Sequence, residues 1–315
     1  MKLFKHIQKN LRKRVKPQST AENIFISALM QNIKKQLNQY DLKKEKDNFS
    51  LYENILQNLT FTKLPKMSKI LGKKILKKNR EGFSGILEAL SEGLTQVNKK
   101  RKEEQLFKKS MNSLAKEEKY FEPILNKFEE NVSKIKDVPL DVVQILRKAY
   151  LNGEGMRGTE FEKLIYDKMK NRAKLIVRTE SAKINSAFTE VRAKALNIKG
   201  YIWSSSRDQR VRGTHSRMDG VLVFWNDPPT FRSISKKGKV SEMIGGAGET
   251  PNCRCVMLPV FELDDITFPI EIAEHAVLTE KYSGKNKYQL EVKGIKKYTK
   301  DKFLETYQKL LINNK

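Results

Sequence analysis

The sequence predicts an α+β protein, with an elongated, mainly helical N-terminal region followed by a compact α+β module holding a few short strands. Three observations lead there. Apolar residues recur at helical spacing from the N-terminus to about residue 195. After Gly200 the pattern changes to short β-branched and aromatic runs, YIWSSS, VLVFW and CRCVMLPVF, parted by polar turns. At 315 residues and 38% hydrophobic, the chain is long enough for two domains and at least one sizeable core.

Taken in order, Leu3, Phe4, Ile7, Leu11 and Val15 mark a first helix with Lys and Arg on its other faces. A second starts near Thr20 and carries Ile24, Phe25, Leu29, Ile33 and Leu37. Ser50 and Glu53 read as a capping box opening a third. A charged segment over about 101–136 carries Leu106, Phe107, Met111, Leu114, Phe121 and Leu125, and Pro123 predicts a kink or division in it. A break at Asp137-Val138-Pro139 precedes a short helix over 140–150 and a Gly-rich turn. Thr159 and Glu162 read as a second capping box, opening a long helix expected to stop at Lys199 and Gly200. The expected domains are a basic helical arm (1–150), the α+β module (151–262) and a short α/β extension (263–315) with a weak strand, YQLEVKGI, and a last helix, DKFLETYQKLL.

Lys and Arg outnumber Asp and Glu by 63 to 37, a formal net charge of +26, and residues 1–100 hold 22 basic against 8 acidic side chains. Such an excess predicts salt-dependent attraction to a polyanion. A lysine-rich genome composition would produce the same excess. The apolar face of the first helix is modest and lacks Trp, and no stretch approaches the roughly 18 apolar residues of a spanning helix, so no membrane partner is expected. Lys2, Lys5, Lys9, Arg12, Lys13, Arg14 and Lys16, followed by the lysines around 73–78, are instead the expected contacts to phosphates of double-stranded DNA, without base reading. Two cysteines do not make a disulfide framework, and the basic N-terminus lacks the apolar core of a secretory signal, so a reducing intracellular setting is expected.

The densest chemical group is DQRVRGTHSRMDG, with Asp208, Arg210, Arg212, His215, Arg217 and Asp219 within thirteen positions. Both cysteines, Cys253 and Cys255, lie in TPNCRC and are expected on the last strand of the module. Three readings stand open. His215, Cys253 and Cys255 offer one imidazole and two thiolates to a metal such as zinc, with Asp208 or Asp219 as a fourth ligand. Alternatively, Cys253 is a nucleophile activated by His215 and Asp208, in a cysteine-based hydrolase, or His215 serves a metal-dependent nuclease. Or the group is structural: Arg–carboxylate pairs staple turns, His215 bonds a backbone carbonyl, Gly213 and Gly220 supply tight turns, and the thiols pack a core. The glycine-rich GGAGETP lacks GK[ST] and runs into Pro251, so it is expected to be a mobile loop and not a phosphate cradle.

The ordered set of these pieces is itself informative: Arg178-Thr179-Glu180 on a long helix, then Trp203, then D-x-R-x-R-x-x-H-x-x-x-D-G from Asp208 to Gly220, then Asn252-Cys253-Arg254-Cys255. Over roughly 155–262 this resembles the Mu F-like, SPP1-type minor head proteins of tailed bacteriophages, the head-morphogenesis family. Its motif positions fall on Arg178, Glu180, Trp203, Asp208, Arg212, His215, Gly220, Cys253 and Cys255. The resemblance implies a virion component of a phage or prophage, not an enzyme. It would assemble in the host cytoplasm and reside inside the capsid near the portal. Its implied partners are the portal protein, procapsid components such as scaffold or major capsid protein, and packaged DNA. Many relatives have Cys-x-x-Cys where this chain has Arg212 to His215, and His-Pro where it has Thr250-Pro251. In those relatives the pattern resembles a zinc site; here two ligands are replaced, and His215 can stand in for one thiolate.

Overall fold

The computed structural model describes residues 19–95, 118–260, 263–284 and 287–312. The chain divides into two compact units, one built from Gln18–Ile75 and Pro123–Ser181, the other from Leu76–Glu122 and Ala182–Lys315. The first expected helix and residues 101–117 of the charged segment lie outside the described residues, as do all seven N-terminal residues expected to touch DNA. None of the described helices is long and apolar enough to cross a membrane.

The first unit is helical: α1 (Ser19–Leu37), α2 (Phe49–Asn58), the start of α3 (Leu64–Thr95), α4 (Glu118–Ser133), a 3-10 turn (Lys134–Asp137), α5 (Val138–Leu151) and the start of α6 (Gly158–Ala195). Ile33, Tyr52, Phe128, Val132, Val142, Leu146, Phe161 and Ile165 fill its core, with Tyr52 stacked on Phe161 at 4.3 Å between ring centroids. Gly72 lets α3 approach α4, since a Cβ there would stand 3.0 Å from Leu125 Cδ2.

Two expected caps are corrected. Asn48 starts α2, its side-chain oxygen accepting the Leu51 N–H at 3.0 Å. Asn caps as well as Ser, so the helix begins earlier and Glu53 is released to pair with Arg147 at 2.5 Å. At α6 the Glu160 carboxylate accepts the Arg157 N–H at 3.0 Å, in place of a Thr159–Glu162 box. Pro123 does not divide α4, which runs through it to Ser133.

α6 carries the chain into the second unit and ends before the expected Lys199-Gly200 stop. Asn197 takes φ +59°, the Ile198 N–H reaches Ala193 O at 2.9 Å and the Asn197 N–H reaches Lys194 O at 2.9 Å. This is a Schellman closure with Asn in the left-handed position, and it frees Gly200 to open β1 (Gly200–Ser204). A short helix α7 (Gly213–Arg217) follows, then β2 (Leu222–Phe224), β3 (Thr230–Ile234), β4 (Val240–Ile244), β5 (Val256–Pro259), β6 (Ile270–Gly284), β7 (Lys287–Tyr298) and α8 (Lys300–Ile312).

These seven strands form one sheet, ordered β4-β3-β6-β2-β1-β5, with β7 on the remaining edge of β6. β6 is its spine. Ile272 pairs with Leu222 of β2, residues 277–281 pair with β3, and β7 runs antiparallel along the far side. A register shift between Ala273 and Val277 separates the two halves of β6. Opposite it, Gly294 takes φ +74°, and a Cβ there would come within 2.4 Å of Glu274 O, so only glycine fits. The segment after residue 263 therefore supplies the strand that joins the other two groups of strands. The β3–β4 hairpin occupies the stretch between VLVFW and CRCVMLPVF, where no strand was expected; its turn is closed by Gly238 at φ +73°.

Period-two alternation sends side chains to both faces of this sheet. Ile202, Leu222, Val256, Leu258, Ile270 and Ile272 face one core with Ala193, Ile198 and Phe303. Tyr201, Trp203, Val223, Met257, Phe231 and Leu278 face the other, which also contains Cys253 and Cys255.

Candidate metal centre

Three segments from distant parts of the second unit meet on that second face. β1 supplies Trp203, α7 supplies His215, and the turn before β5 supplies Cys253 and Cys255. The cysteines sit just ahead of the strand and not on it as expected. Asn252 at φ +57° and a Cys253 N–H to Thr250 O bond of 3.1 Å form a turn that brings the chain round into β5. Residues i and i+2 around Arg254 then place both sulfurs inward.

His215 Nδ1 lies 3.3 Å from Cys253 Sγ and 3.6 Å from Cys255 Sγ. One ligand atom from each of the three residues falls within 4.8 Å of the others, and all three are buried, each 3% exposed. The other ring nitrogen, Nε2, is 3.3 Å from Thr250 Oγ1. That hydroxyl also accepts from Arg212 Nη1 at 3.3 Å, while Arg212 Nη2 donates to Pro251 O at 2.9 Å. His215 thus bonds a side chain and not the backbone carbonyl that the structural reading expects. Arg212 and Thr250 hold the imidazole with its Nδ1 edge toward the sulfurs.

The two sulfurs cannot both carry a charge cheaply in this burial. The hydrogen bond from Cys255 holds the Cys253 thiol down to about 4, assisted by His215. The same bond, with burial, pushes Cys255 well above the ordinary thiol range. A bound cation would remove that conflict. Two sulfurs and an imidazole nitrogen are the donor set that zinc favours, so these residues fit such an ion.

Asp208, the expected fourth donor, lies outside this group. Its carboxylate is gripped by both terminal nitrogens of Arg254 and accepts the Arg210 N–H at 2.9 Å, and Arg254 holds it below the usual carboxylate range. Asp219, the other expected donor, is likewise committed, to Ser205 N at 2.8 Å and Arg207 Nε at 2.6 Å. Arg217 pairs with Glu271 through two bonds of 2.6 and 3.0 Å. The charged motif thus works mainly as a set of staples, as the structural reading expects. Of the two expected turn glycines, Gly220 takes φ +87° between Asp219 and β2, whereas Gly213 opens α7 without a positive φ.

Arg178 and Glu180 belong to the helical unit and take no part in this centre. Glu180 accepts from Asn131 at 2.9 Å, and Arg178 faces the buried Glu22 of α1.

The GGAG loop, expected to be mobile, is packed into the core, its glycines buried and tightly wedged. A Cβ at Gly246 would meet Met257 Cε at 2.5 Å, and Ser186 Oγ donates to Ala247 O at 2.7 Å. Sequence reading missed this anchor, although four small residues in a row are the signature of close backbone approach.

Residues 141–258 match the family described as Phage Mu protein F like protein. An uncharacterized protein of Haemophilus influenzae is 36% identical over 91 residues, which is 29% of this chain and 18% of that protein. The NAD(+)--arginine ADP-ribosyltransferase EFV of Enterococcus faecalis is 34% identical over 85 residues, 27% of this chain and 17% of that one. Minor head protein GP7 of Bacillus phage SPP1 is 31% identical over 96 residues, 29% of this chain and 30% of that one. This chain thus covers under a third of each relative's length. No solved structure matches it.

Proposed function

Because residues 141–258 match the family described as Phage Mu protein F like protein, we propose that this chain is a minor head protein of a tailed bacteriophage or prophage. It acts in procapsid assembly by binding the portal protein, beside scaffold or major capsid protein, and touches packaged double-stranded DNA without reading its sequence. The observation that carries this reading is the family match, supported by the relative named as a minor head protein.

The DNA contact is supported by charge. The net charge is +26, and beyond the N-terminal arm, Lys66, Lys69 and Lys73 are exposed at helical spacing on one side of α3. Within the module, we propose that His215, Cys253 and Cys255 hold a zinc ion whose role is structural, tying α7 to the entry of β5, with water or another donor in the fourth position.

A hydrolase built on Cys253 and His215 is less well supported. Their 3.3 Å approach suits a nucleophile and base, but a substrate must reach the sulfur, and both residues are 3% exposed. The cleft of about 730 Å³ in this unit is lined by Arg207, Asp219, Glu271 and Lys297, among others, and by neither Cys253 nor His215.

The test is co-expression with the portal protein of the same phage, together with mass spectrometry of purified particles. Retention on the portal and presence in heads are expected. A chain absent from particles and unretained by the portal overturns the reading.

A further inference from the structure

Among the described residues Trp203 is the largest fully buried side chain, 0% exposed, and its indole nitrogen has no hydrogen-bond partner. A buried N–H is rarely left so. The contrast with Trp225 is direct, since that indole donates to Ile198 O at 2.9 Å. Nor is Trp203 free to turn elsewhere. Its backbone is fixed on both sides, Trp203 N–H to Val221 O and Gly220 N–H to Trp203 O, each at 2.8 Å. Its ring stands edge-on to His215 at 5.5 Å between centroids and packs on Phe231 at 5.6 Å.

Trp203 shares its buried cluster with Cys253 and Cys255, and its indole N–H is directed toward the Cys255 sulfur without closing a hydrogen bond to it. The Cys255 N–H in turn points at Cys253 Sγ, at 3.4 Å. Two N–H groups, the Trp203 indole and the Cys255 backbone, therefore lie in the core that holds the two sulfurs. A neutral thiol is a weak acceptor, whereas a thiolate is a charged one for which such donors become strong. The unpartnered indole N–H, edge-on beside His215, would find such an acceptor in a Cys255 sulfur bound to a cation.

We infer that Trp203 is a positioning residue of this centre, donating its indole N–H to the metal-bound thiolate of Cys255. The inference rests on the metal reading proposed above. It gives Trp203 a chemical task that Phe, of nearly the same shape and apolarity, cannot perform. Groups that orient metal ligands in this way alter affinity by about 10- to 100-fold when removed.

The experiment titrates the full chain and Trp203→Phe with cobalt(II), following the sulfur-to-cobalt charge-transfer absorption, and with zinc against a competing chelator. In parallel, the indole N–H signals of the unaltered, ¹⁵N-tryptophan-labelled protein are followed with and without zinc. Weaker binding by at least about 10-fold in Trp203→Phe is expected, with a displaced charge-transfer band. The Trp203 indole proton should move downfield on zinc loading while that of Trp225 stays in place. If the unaltered protein binds metal but Trp203→Phe matches it and the Trp203 signal stays still, the inference falls and the metal reading stands. If the unaltered, reduced protein takes up no metal, both fall. Should Trp203→Phe fail to fold, the indole signal of the unaltered protein decides alone.

Discussion

Gly248 and Ser186 lie so close that a Cβ on the glycine would stand 2.3 Å from the serine hydroxyl oxygen. This relationship clamps the GGAG loop onto α6, and the loop delivers the chain into the turn carrying Cys253. His215 arrives 38 residues earlier in the sequence, on a five-residue helix. The centre thus depends on a backbone anchor that contributes no ligand.

Replacing Gly248 with Ala should accordingly cost about 3 kcal/mol, combining left-handed strain with overpacking. Gly220, at nearly the same φ of +87°, has nothing within 4 Å of a built Cβ. Gly220→Ala should cost only about 1 kcal/mol. Urea melts of the two variants check the order, and equal losses would mean that the Ser186 contact is unimportant.

Glu22 gives a pH-dependent prediction. Burial raises its carboxyl above 4.5, outweighing the attraction of Arg178, and one carboxyl oxygen has no hydrogen-bond partner among the described residues. A carboxyl raised in the folded state disfavours folding once ionised. The penalty is absent below the unfolded value, grows as pH rises toward the folded value, and is complete above it. Glu22→Gln should therefore melt higher than the parent at pH 7, with the difference vanishing near pH 4. A difference that persists unchanged at pH 4 would point to packing and not to charge.

Asp208→Ala should leave metal content unaltered, because the Asp208 carboxylate is engaged by Arg254 and lies outside the ligand group. Metal analysis of the purified variant checks this. Loss of metal would return Asp208 to the ligand set.

For the DNA contact, replacing Lys2, Lys5, Lys9, Arg12, Lys13, Arg14 and Lys16 with Gln should weaken binding alike across sequences. The slope of log affinity against log salt should flatten by about 0.9 for each residue that touches a phosphate. Fluorescence anisotropy over a range of salt measures it. An equal loss at low and high salt would speak against phosphate contact.

Much of the helical half was legible because its apolar spacing is regular, and β1, β2 and β5 because Ile, Val, Trp and Phe cluster there. The β3–β4 hairpin was not. Its strands are five residues each, β4 is exposed throughout, and Pro228-Pro229 and the lysine-rich turn look like loop. The helix ends were misplaced where Asn48 and Asn197 acted in place of the expected Ser50 and Gly200, since local signals do not rank competing caps. His215, Cys253 and Cys255 could be named from residue type, but their approach depends on a sheet pairing that no local pattern records. Asp208 looked like a ligand because it is near His215 in sequence. Arg254, between the two cysteines, claims it instead. The orphaned indole of Trp203 is visible only in three dimensions.

The central claim is that His215, Cys253 and Cys255 form a metal centre holding this module together. Its most direct test is metal content and thermal stability of the reduced full chain and of His215→Ala, each prepared with zinc and then exposed to a chelator. About one zinc per chain is expected in the parent and none in the variant. Chelation should lower the parent's stability by about 4 kcal/mol if zinc had been present at a thousandfold its dissociation constant. A parent chain that folds fully, carries no metal and melts the same with or without chelator would contradict the account.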